Sequence, residues 1–172
     1  MSLQTFKSAL VAAALATIVP LSGAFAQEVQ PGQTGALYPD DVVFARQLLM
    51  DELETRIPPF DAAAAGDDFD LESLRNDAYL FSTILSVFPH LFPPETKPVV
   101  SPDGAPPLTT ATEAVWEDFD AFYALAVDAA LFTLDMSFVE DEETFRVQAQ
   151  ELRERCDSCH ADYMLVTDPD LP

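Results

Sequence analysis

Phe145, Ala149, Leu152, Cys156, Cys159 and Tyr163 follow one another at spacings of 4, 3, 4, 3 and 4. That rhythm draws a single apolar seam down an α-helix, and such a helix is stable in water only when the seam is covered. Three earlier stretches can cover it. Pro39, Asp40 and Asp41 suit a first helical turn, Val43, Met50, Leu53 and Ile57 share the face behind them, and Pro58-Pro59 is expected to stop that helix. After a loop over 60–70 containing Gly66, Asp70 is placed to cap a second helix. Its Leu71, Leu74, Ala78, Phe81, Leu85 and Phe88 recur by three and four as far as Pro89. A third helix opens near Thr112, with Val115, Phe119, Phe122, Ala126 and Ala129 on one face and Trp116 and Tyr123 alongside. Ser137 to Glu140 turns the chain, and Asp141, Glu142 and Glu143 begin the fourth. The expected class is all-α, an antiparallel four-helix bundle. From Pro89 to Thr110 there are seven prolines, Pro89 included, and one glycine, a connection long enough either to cross between bundle ends or to cover a pocket.

Thirty acidic and eight basic side chains give a net charge of −22, which repels nucleic acid. Met1 to Ala26 has Lys7, an apolar run from Ala9 to Val19, and a small-residue end at Ala24-Phe25-Ala26. This is the layout of a secretory signal peptide cleaved after about Ala26, and the run is too short to span a bilayer. The expected organisation is a leader over 1–26, a flexible lead-in over 27–37, the bundle over 38–164 and a frayed tail over 165–172. The product is expected to be periplasmic, with no membrane span.

Both cysteines fall in Cys156-Asp157-Ser158-Cys159-His160, a C-x-x-C-H sequence that reads as attachment of one covalent haem c. On a helix the two thiols lie one turn apart and can each form a thioether to a vinyl group, while His160 follows one step round as an axial ligand to iron. A redox disulfide would call for a βαβ context, and a zinc site would need further ligands where the only other histidine is His90. For the second axial position Met50 is the candidate, set against the plain alternative that it packs the core. Met136 lies at the end of its helix and Met164 follows the motif too closely to reach the opposite face. Arg46, one turn before Met50, puts a guanidinium within reach of a haem propionate.

In order along the chain, Arg46-Gln47-Leu48-Leu49-Met50, Leu91-Phe92-Pro93-Pro94-Glu95-Thr96, Ala114-Val115-Trp116 and the motif from Cys156 to Tyr163 resemble the class II c-type cytochromes, meaning cytochrome c′ and its low-spin relatives. Cytochrome c′ is itself one of the known four-helix bundles. The resemblance implies that Met50 lies over the open face of the haem, and that methionine there goes with the six-coordinate, low-spin branch. Members with another apolar residue keep iron five-coordinate and bind small gases. Two departures stand out: Met164 replaces a common basic residue, and Thr167-Asp168-Pro169-Asp170 replaces a lysine-rich tail.

The leading expectation is a non-enzymatic, one-electron carrier with His160 and Met50 as axial ligands, Cys156 and Cys159 as thioethers, and Trp116 packing the pocket. Its redox partner would present a basic docking surface to the acidic chain. The alternative is a five-coordinate protein that binds nitric oxide or carbon monoxide. Exposed aromatics on the second and third helices would allow a homodimer.

Overall fold

A computed structural model describes residues 38–99, 104 and 107–165, so the expected leader, lead-in and most of the tail lie outside the described residues. Helix α1 spans Pro39–Ala65, α2 Leu71–Val87, α3 Ala114–Glu117, α4 Phe119–Met136 and α5 Glu142–Tyr163, with 3₁₀ turns at Phe88–Leu91 and Pro94–Thr96. The four long helices form the expected bundle. Arg146, in the first turns of α5, donates to the Ala63 and Asp67 carbonyls at the end of α1 at 2.8 and 2.7 Å. At the other end the Tyr163 ring of α5 meets Phe122 of α4 at 5.2 Å, and Phe88 beyond α2 meets the same Phe122 at 6.4 Å. Neighbouring helices are therefore antiparallel. No helix among the described residues is long and apolar enough to cross a membrane.

Two helix boundaries differ from expectation. Helix α1 does not stop at Pro58-Pro59 but continues through both. Each proline removes a donor to the carbonyl four residues back, but both are exposed, so water can serve Glu54 and Thr55 instead. The following turn recovers the loss by burying Phe60 at 1% exposure and Ala63 completely. The helix ends at Gly66, whose φ of +96° only glycine adopts cheaply, with Gly66 N–H on Ala63 O at 3.1 Å and Asp67 N–H on Ala62 O at 3.0 Å. The third expected helix is two. Asp118, at φ −134° and ψ 66°, breaks it, and its carboxylate then caps α4 by accepting from Ala121 N–H at 3.2 Å. Asp70 caps α2 as expected, accepting from Glu72 and Ser73 N–H at 3.1 and 3.4 Å.

The core falls into two clusters. The larger holds Phe60, Ala63, Leu74, Phe81, Met136, Phe145 and Leu152. The smaller, at the end where α5 finishes, is built on Phe92, Val115 and Phe122. Because α2 ends and α4 begins at that same end, the described stretches on either side of the proline-rich connection both lie at one end of the bundle.

Candidate cofactor site

Cys156 and Cys159 are free thiols, both half-buried, on the inner side of α5. Cys156 packs against the larger cluster and Cys159 against the smaller, so the two sulfurs straddle the junction between them. Burial pushes the Cys159 thiol up to about 11, helped by the negative potential of Cys156 and Asp162; burial also raises Cys156, with Arg153 opposing. Both are neutral thiols at physiological pH, the reverse of a reactive redox pair. His160 is exposed in the last turn of α5. Among the described residues no group of three or more His, Cys, Asp or Glu side chains converges on a metal position.

Helix α1 lies across from α5 and supplies Leu49 and Met50, both half-buried against the cluster that Cys156 also touches. Met136, the rival methionine, is fully buried at the opposite end of α4, and Met164 pairs its backbone with Ala111. Trp116 borders the smaller cluster, edge-on to Phe92 at 5.7 Å, and its indole N–H donates to Phe92 O at 2.9 Å. Arg46 is the one charged side chain buried among the described residues, at 3% exposure. Its Nη1 donates to Leu91 O at 3.2 Å and Thr96 Oγ1 at 3.0 Å, and its Nη2 to Thr96 O at 3.3 Å and Thr109 Oγ1 at 2.6 Å. The guanidinium carbon sits 4.4 Å from the Phe92 ring centre and 5.7 Å from that of Trp116. Thr96, Thr109 and Phe92 were not legible as site residues, because nothing in their local sequence marks them as partners of an arginine on the first helix.

A family model described as cytochrome c′ matches residues 41–164, from the first turn of α1 to just beyond α5. The chain belongs to the cytochrome c′ family. Proteins of this family hold one covalent haem c, and are typically periplasmic. Solved structures share the fold. Cytochrome c′ from Rubrivivax gelatinosus aligns with a TM-score of 0.62 at 23% identity, over 76% of this chain and 99% of that one. Oxidised cytochrome c556 from R. palustris gives 0.63 at 19%, over 74% and 98%. A nitric oxide complex of a cytochrome c′ mutant from Alcaligenes xylosoxidans gives 0.61 at 17%, over 76% and 99%. No curated protein matches the chain by sequence.

The residues present fit the cofactor. Two unpaired thiols one helical turn apart stand where the core divides, with Leu49 and Met50 on one flank and Trp116 and Tyr163 on the other. A flat apolar ring attached at those sulfurs would meet these apolar side chains.

Proposed function

We propose that this member of the family takes its haem through Cys156 and Cys159, uses His160 as the iron's axial ligand, and binds nitric oxide or carbon monoxide on the face turned toward α1. The observation that carries the reading is the contrast between the two sides: an exposed imidazole on one, and a half-buried apolar flank built on Leu49 and Met50 on the other. When bound, the haem supplies an iron that accepts a diatomic ligand. The chain's own side chains do the rest. Leu49 and Met50 exclude water from the inner face and offer no proton donor or base, so a small uncharged ligand is retained and no acid–base chemistry follows. The solved relatives are mostly named as cytochromes c′, one of them as its nitric oxide complex, which favours gas binding over electron carriage. Arg46 keeps its role as a propionate contact only by using Nε–H, or by exchanging one of the four bonds its Nη atoms make to the connection.

The second reading is the one-electron carrier, in which Met50 closes the sixth position and a basic partner docks on the acidic surface. It is favoured by the thioether of Met50 standing against the same cluster as Cys156. One bond separates the two. Spectra of the purified holoprotein, oxidised, reduced and under carbon monoxide, decide between them. Gas binding expects high-spin ferric iron and a reduced protein that takes up carbon monoxide without mutation. A methionine-to-iron charge-transfer band that disappears in Met50→Ala, with no carbon monoxide uptake in the unmutated protein, overturns it in favour of the carrier. Export through residues 1–26 belongs to the same proposal, and is checked by the N-terminus of the mature protein starting near Gln27.

A further inference from the structure

Between α2 and α3 the described stretches carry two short 3₁₀ turns, and the prolines there cannot donate hydrogen bonds. They are nevertheless held at fixed points. Phe92 inserts into the smaller cluster beside Cys159 and Trp116. At their far end Leu165 N–H donates to Thr110 O at 2.6 Å, Thr112 N–H to Tyr163 O at 3.0 Å and Thr112 Oγ1 to Asp162 O at 3.0 Å, binding them to the end of α5. They also meet α1, where Gln47 Nε2 donates to Leu108 O at 2.9 Å. Buried beneath is Arg46. Its two Nη atoms reach Leu91 and Thr96 on one side of the connection and Thr109 on the other, and among the described residues no carboxylate pairs with it. Removing a guanidinium from water is costly unless its donors are used, and here four are used on a segment that has few donors itself. Thr96 Oγ1 in turn donates to Pro93 O at 2.8 Å, and Thr109 Oγ1 accepts from Ala111 N–H at 3.1 Å, so both acceptors are locked by their own neighbours.

We propose that Arg46 is a positioning residue that clasps the stretch at Leu91 to Thr96 to the stretch at Thr109, beside the cysteine-bearing end of the bundle, and thereby limits how fast small molecules reach the iron. The role rests on the presence of haem at that end but not on which side of the Met50 question is right. Lysine cannot replace it, since one ammonium lacks the fork that serves both sides at once.

The test uses the haem-loaded protein in the Met50→Ala background, where the iron is open under either functional reading. Arg46→Lys and Thr109→Val are compared with that parent; Thr109→Val leaves α1 untouched and guards against failure of the arginine variant to fold. Amide hydrogen exchange over 91–99 and 107–112 and the carbon monoxide association rate are measured together. Both variants should speed exchange in these two stretches and raise the association rate by at least about threefold, with exchange in α2 and α4 unchanged. Unchanged exchange, or faster exchange with an unchanged association rate, overturns the proposal. Lack of carbon monoxide binding in the unmutated protein bears only on the gas-binding reading, because the background variant still reports access.

Discussion

Phe60, Phe81 and Phe145 stack on one another at centroid distances of 5.1 and 5.9 Å around Phe60, and each is at most 1% exposed. Truncating the central ring removes contacts from α1 to both α2 and α5. Phe60→Ala should cost about 3–5 kcal/mol, read as a lower urea midpoint, and a loss under about 1 kcal/mol would mean that α1 is not held by the turn beyond its prolines. Trp116 tests a polar contact. Trp116→Phe keeps most of the ring but leaves Phe92 O without its 2.9 Å donor, for an expected loss of about 1 kcal/mol. Neither position stands alone in the sequence as special: a phenylalanine after two prolines looks like loop, and a tryptophan near a helix start looks like packing. Their partners, in other helices and in the connection, give them their roles.

At the level of elements, helix ends carry the testable physics. Gly66 closes α1 at φ +96°, and a Cβ added there would meet nothing within 4 Å. Gly66→Ala should therefore lose only the backbone preference, about 1 kcal/mol, and Gly66→Asn less, by equilibrium unfolding. Asp141 caps α5 by accepting from Thr144 N–H at 2.8 Å, a bond that holds its carboxyl below the ordinary 3.8. A lowered folded-state pKa means stability that is fully present above pH 3.8 and is lost as the pH falls through the lowered value. Asp141→Ala should thus unfold at lower temperature than the parent at neutral pH, and the gap should close in acid. A gap independent of pH would contradict the cap. These boundaries also show where periodicity reads well and where it does not. The apolar faces of α2 and α5 were legible because each repeats every three or four residues within one helix. Pro58-Pro59 misled because local propensity favours a stop while burial of Phe60 and Ala63, decided by other helices, favours continuation.

Across the whole molecule, the net charge of −22 is spread over a chain with few basic residues to offset it. Arg56, Arg153 and Arg155 are spent on ion pairs with Glu52 and Asp77, with Asp61, and with Asp128 and Glu151. Self-repulsion should therefore be relieved by salt, and the melting temperature should rise as NaCl goes from about 0.01 M to about 0.5 M, where the screening length shrinks to a few ångströms. A flat or falling curve would show that the carboxylates are spaced widely enough not to matter. By itself the sequence determined the helical class, the faces that meet in the core and the haem-binding motif, because each of these is written in spacings of three and four within a single segment. The tertiary structure alone decided that the core divides at the cysteines, that both ends of the proline-rich connection meet at one end of the bundle, and that Arg46 is bound to them. Those contacts join residues 45 to 63 positions apart, and no local pattern encodes a bond whose two ends meet only after the helices have packed.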